Sequence, residues 1–295
     1  APRHPSRQAT SQPMTRTPWL PYVLVAPAVV FLTLLFLMPL GQTILLSFQD
    51  GAGQSLANYR RMVSDLNFEA ALSNTFILVA FVVPLQLAMA LWMATMIQKM
   101  DRGRDLVLWI WTIPLAISDL AAGIAWLAIL QDSGFLNSAL YQMGLISSQV
   151  SRLSYETPVA LFVSVILAEV WRATAIVLII LVSGLQLIPK DYAEAASVFG
   201  ASRWTIFRKI TLPLMKPSIQ TALILRTVLA FEVFAVVYAL GGRNIPVLVG
   251  EAYVWQHENQ NYGVAAAYAV LVMLISVAAT VVYLVALRTK PEARA

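Results

Sequence analysis

Four stretches of this chain, 17–49, 70–98, 173–189 and 259–287, contain no Asp, Glu, Lys or Arg. Crossing the hydrocarbon core of a bilayer takes about 20 mostly apolar residues in a helix, and uncharged runs of this kind leave few other ways to fold. Three further apolar stretches carry lone charges: Asp119 within 106–131, Glu169 and Arg172 within 157–189, and Arg226 and Glu232 within 217–242. Together these predict an all-α integral membrane protein with six spans, near 20–48, 72–98, 106–131, 158–182, 218–240 and 262–287. The composition agrees. Only 12% of the 295 residues are charged, against about 25% in a soluble domain, so there is too little polar surface to keep the chain in water. The run from Trp19 to Leu40 exceeds the 7–15 apolar residues of a typical signal peptide and is kept as a span.

Orientation follows from the basic residues, because short loops rich in Lys and Arg stay on the cytoplasmic side. Fourteen of the 20 Lys and Arg fall in the N-terminal tail, near 99–104, between 190 and 216, and after 287. Four, Arg60, Arg61, Arg152 and Arg243, fall on the other side. Both termini and the loop 183–216 are therefore expected to be cytoplasmic. The net charge of +5 is read as a topology signal rather than as a nucleic-acid footprint. Residues 1–18, rich in Pro, Ser, Thr and Arg, bury too little to order themselves and are expected to form a flexible cytoplasmic tail ahead of one transmembrane domain, 19–290.

The segment 188–217 differs from everything around it. Asp191 followed by Glu194, just after Pro189, reads as a capping-box helix start. Tyr192, Ala195, Ala196 and Phe199 recur at helical spacing. Gly200 breaks that helix. Ser202 can cap a second one, with Trp204, Phe207 and Ile210 on one face and Pro213 at its end. Two short amphipathic helices joined by a glycine elbow suit either an interfacial hairpin on lipid headgroups or a surface that docks into a partner's groove.

Glu194, Ala195, Ala196, Gly200, Ala201, Phe207, Ile210, Leu212, Pro213 and Pro217 match, in order and spacing, the EAA loop that this segment resembles, that of permease subunits of binding-protein-dependent ABC importers. Phe199 stands where sugar permeases often have Asp. Weaker similarities at Leu56-Ala-Asn-Tyr59, Gly134-Phe-Leu-Asn137 and Gly184-Leu-Gln-Leu-Ile-Pro189 favour the sugar branch, of maltose, trehalose and glycerol-phosphate type. The resemblance implies the type I ABC importer permease fold in a bacterial or archaeal cytoplasmic membrane. It implies a role in passing a sugar or oligosaccharide from an extracytoplasmic solute-binding protein to the cytoplasm. It also implies two ATP-binding subunits, which hold ATP and Mg, and a second, related permease. Glu194 would orient docking of the ATPase, Gly200 would form the elbow, and Ala195, Ala196, Ala201, Trp204 and Phe207 would belong to the docked surface.

An ionised side chain at mid-membrane costs about 2.5–3.5 kcal/mol on insertion scales, so it faces a partner or a watery cavity. Glu169 and Arg172, three apart, can pair along one helix; Arg226 and Glu232 do not share a face and need partners elsewhere. Asp119, Glu169, Trp171 and Glu232, with Trp126 and Tyr238 as sugar-facing rings, are expected to line the substrate path. No catalytic residue, metal ligand or cofactor of its own is expected. The chain has no Cys, its two His lie outside the predicted spans, and no G-x-x-x-x-G-K-[ST] or H-E-x-x-H occurs. A secondary transporter or channel for a polar solute is the competing class, and it needs no EAA-type loop.

Overall fold

A computed structural model describes residues 19–51 and 53–288. The tail 1–18 lies outside them. The chain divides into two units, through Leu45 and from Leu46 onward. The first unit is a helix, Leu20–Leu32, one π-helical turn, Thr33–Leu37, and the start of Met38–Phe48. Pro39 cannot donate to the preceding turn, and the wider π turn ahead of it absorbs that gap. From Tyr22 to Leu40 its side chains are exposed.

In the second unit three helices are long and apolar enough to cross a membrane: Phe68–Gln98, Pro158–Gln186 and Tyr262–Ala286. Pro158–Gln186, the fourth span, is the central one, with 61% of its most apolar stretch buried. Small residues let neighbours close on it. A Cβ added to Gly184 would overlap the Ser218 side chain at the start of the fifth span.

The third and fifth spans are not the continuous helices that the hydropathy predicts. The third is Arg104–Thr112, a 3-10 turn Ile113–Ala116 and then Asp119–Leu130, with a 97° bend between Arg104–Ala116 and Asp119–Gln142. Pro114 lacks a donor and Ile117 and Ser118 are extended, so Ser118 caps a new helix by accepting from Ala121 N at 3.2 Å. The fifth is Lys216–Phe231 and Ala235–Gly241, bent by 48°. Neither proline nor glycine stands at that break. The second half turns so that Val236, Val237 and Leu240 enter the core beside Leu161 and Val165. Gly123 of the third span allows this approach, since a Cβ there would sit 2.6 Å from Ala239 Cβ. Apolar burial therefore overrides helical continuity.

At the end away from the 190–214 hairpin, Asn58 is buried and donates to the carbonyls of Ser47 at 3.2 Å and Gln49 at 2.7 Å. Asp65 accepts from Trp255 Nε1 at 2.5 Å and Tyr268 OH at 3.3 Å, pinning the short helix Leu248–His257 against the sixth span. Burial, and then the Asp65 charge, pushes the neighbouring Glu251 carboxyl above its ordinary value.

Candidate translocation site and coupling hairpin

Four of the five intramembrane charges meet in one network. Glu169 and Arg226 are each 1% exposed, and Arg226 Nη2 donates to Glu169 Oε2 at 2.8 Å. Gln86 bridges them: its Nε2 donates to the Glu169 carbonyl at 2.8 Å, and its Oε1 accepts from Arg226 Nε. Arg172 lies 3.5 Å from Glu169 Oε1 and 2.8 Å from Asp119 Oδ1. Two carboxylates and two guanidiniums balance, which is what lets them stand among apolar helices. The network joins the second, third, fourth and fifth spans. Its outer member is the break of the third span, where the Asp119 side chain is 50% exposed.

The structure therefore divides the residues predicted to line the path. Glu169, 1% exposed, is sealed inside the network and, with Arg226, borders a cavity of only about 10 Å³. Asp119 heads the second half of the third span, with its carboxylate at a helix N-terminus. Trp171 and Trp126, both half-buried, meet edge to face with centroids 6.0 Å apart. Glu232 is exposed at the break of the fifth span and borders a cavity of about 500 Å³ between the fifth and sixth spans. Tyr238, 42% exposed, belongs to a separate aromatic cluster: its ring centroid is 5.3 Å from Phe234 and 6.0 Å from Tyr253, which stacks on His257 at 4.2 Å.

Sequence reasoning passed over Gln86 and Tyr253. A lone amide in an uncharged apolar run was the available signal for Gln86. Nothing local marks Tyr253, which reaches the cluster through the turn between Gly241 and Leu248.

The hairpin is built as two helical arms around Gly200. Lys190–Val198 is the first, and its residues are exposed or half-buried. The predicted capping box is absent: Pro189 occupies the N-cap position and no side chain caps the helix. Gly200 has φ +78°, a left-handed conformation that favours glycine. Ser202 then caps the second arm as predicted, accepting from Thr205 N at 3.2 Å. Pro213 does not end that arm. Arg203–Ile206 passes through a π turn, Phe207–Thr211, into Leu212–Leu214 and on to the fifth span, because the wider turn accommodates the proline's missing donor. Trp204 stacks on Phe207 with centroids 5.6 Å apart. Glu194, Ala195, Gly200 and Trp204 are exposed, while Ala196, Ala201 and Phe207 are half-buried. Val198 and Phe199 stand nearly bare at the elbow, Phe199 at 90% exposure. An apolar tip of this kind marks a contact surface.

Comparison with known proteins agrees with this architecture. The chain is 30% identical to the trehalose/maltose transport system permease protein MalF of Thermococcus litoralis, over 93% of this chain and 96% of that one. It is 32% identical to the trehalose transport system permease protein SugA of Mycobacterium tuberculosis, over 76% of this chain and 74% of that one. Its fold matches a chain of a bacterial alginate ABC transporter crystallised with an alginate pentasaccharide-bound periplasmic protein. The TM-score is 0.80 at 22% identity, over 92% of this chain and 94% of that one. Residues 12–288 match the family model described as binding-protein-dependent transport system inner membrane component. The chain belongs to that family and is a multi-pass inner-membrane permease with the fold of ABC importer permeases.

Proposed function

We propose that this chain forms one half of the translocation path of an ATP-driven importer for a sugar or oligosaccharide of trehalose or maltose type. The observation that carries the reading is the exposed 190–214 hairpin. Glu194, Ala195 and the Gly200 elbow are exposed, and the second arm leads through a single turn residue, Met215, into the fifth span. A push on the hairpin reaches the fifth span directly, and through Arg226 it reaches the network that ties four spans together. ATP and Mg belong to two ATP-binding subunits docked on the hairpins of this chain and of a second, related permease. An extracytoplasmic binding protein delivers the solute at the opposite end. The sugar class rests on the trehalose and maltose permeases among its relatives.

Within the path we assign solute contact to Tyr238, with Phe234 and Tyr253, since a half-open aromatic face suits the apolar C–H face of a sugar ring. Asp119 and Glu232, the two exposed carboxylates at the helix breaks, supply acceptors for hydroxyls. Uptake of labelled trehalose and maltose into right-side-out membrane vesicles, with ATP loaded inside and the binding protein added outside, tests both statements. Uptake is expected only with ATP and the binding protein. Tyr238→Ala should lower it by about tenfold, the upper end of what one aromatic contact contributes, with normal amounts of assembled transporter. Uptake that persists without ATP would instead indicate a secondary transporter.

A further inference from the structure

Between the hairpin and the end of the second span lies a groove of about 1020 Å³. Its polarity is graded along the helix. Leu91 and Trp92 line it at one level, and Lys99 lines it seven residues on, about 10 Å further along the axis at 1.5 Å per residue. Lys190, Arg203 and Trp204, from the hairpin, also line it. Glu194 is the one carboxylate among the lining residues. Among the described residues none of these four charges takes part in an ion pair. The groove thus combines three cations outside any ion pair with an apolar stretch of the second span.

We propose that this groove holds one anionic phospholipid, its phosphate between Lys99, Lys190 and Arg203 and its acyl chain along Leu91 and Trp92. Charge complementarity argues for this occupant, because basic pockets at the cytoplasmic ends of spans recruit acidic headgroups. Depth argues against a soluble subunit, which does not reach the apolar wall a further two helical turns into the membrane. A span of another permease would cover the wall but leave three cations facing apolar side chains, at a desolvation cost. Trp92 and Trp204 are exposed amphipathic rings suited to the interface. A lipid seated here would brace the hairpin from behind and make coupling sensitive to bilayer composition. The inference rests on the cytoplasmic placement of the hairpin, but not on ATP, solute or partner subunits.

The test uses the purified full-length chain in phosphatidylcholine vesicles that contain a minor fraction of either dibromo-acyl phosphatidylglycerol or dibromo-acyl phosphatidylcholine. Tryptophan quenching is measured as that fraction rises. Brominated phosphatidylglycerol should quench an additional component at low fraction, and that component should vanish in W92F/W204F, which removes both tryptophans that line the groove. In K99Q/K190Q/R203Q the fraction needed should rise at least tenfold, each cation being worth roughly fivefold near a charged surface. The control R102Q/R208Q/K209Q, which removes three cations outside the groove, should leave it unchanged. Equal quenching by the two brominated lipids would overturn the proposal. So would equal loss in both triple variants, which would mean diffuse surface attraction, or a phosphatidylglycerol-specific component that survives in W92F/W204F.

Discussion

Arg226→Leu is expected to be the most damaging single change in the membrane core, lowering stability by about 3–5 kcal/mol, as when one partner of a buried pair is removed. The cost comes from what stays behind. Glu169 is left at 1% exposure without its closest cation, and Arg172, the remaining one, already pairs with Asp119 at 2.8 Å. Gln86 Oε1 loses its donor as well. Neutralising the leftover charge should therefore recover more than half of the loss. In Glu169→Gln/Arg226→Leu the Arg172–Asp119 pair is balanced by itself. Thermal unfolding of the detergent-purified protein, followed by size-exclusion fluorescence for wild type, both single variants and the double, gives the coupling. Strictly additive effects would show that Arg226 and Glu169 do not depend on each other.

The second large effect is expected at Gly200 and is functional rather than structural. Valine at φ +78° carries strain of order 1–3 kcal/mol. Nothing lies within 4 Å of the position, so no clash adds to it. The first arm has no buried residue to resist the strain, so the elbow should re-aim while the spans stay folded. ATP-driven uptake should fall to a few percent or less, with unchanged membrane level and unchanged thermal unfolding. Gly144 supplies the control: it has φ +70° and open surroundings at the other end of the molecule. Gly144→Val carries similar strain and should retain most uptake. Equal losses at the two positions would mean that strain itself, and not the direction of the hairpin, is responsible.

Much of this architecture is legible in the sequence because long uncharged runs and basic loops are strong signals. Phe68–Gln98, Pro158–Gln186 and Tyr262–Ala286 lie within a few residues of where hydropathy put them, and Gly200 turns the chain where the elbow was expected. The breaks in the third and fifth spans were less visible. Pro114 gave a local reason for the first, but the kink at 232–234 is decided by how Val236 and Leu240 pack on the fourth span, and a hydropathy run records no such packing. The same limit applies to the buried charges. Sequence spacing showed that Glu169 and Arg172 could pair and that Arg226 needed a partner. Only the fold shows that Arg226 takes Glu169 and Gln86, leaving Arg172 to Asp119. Pro213 and the Asp191–Glu194 pair misled in the other direction, since a π turn and a proline N-cap served where a helix stop and a capping box were expected.

If the hairpin couples this chain to the ATPases of a sugar importer, those ATPases should travel with it. Affinity purification of the tagged chain from its native membrane in mild detergent, with mass spectrometry of what accompanies it, tests this most directly. A Walker-motif ATPase and a second, related permease are expected to accompany it, and replacing Gly200 by valine should remove the ATPase and leave the second permease. Recovery of the chain alone, in a form that transports solute without ATP, would contradict that coupling.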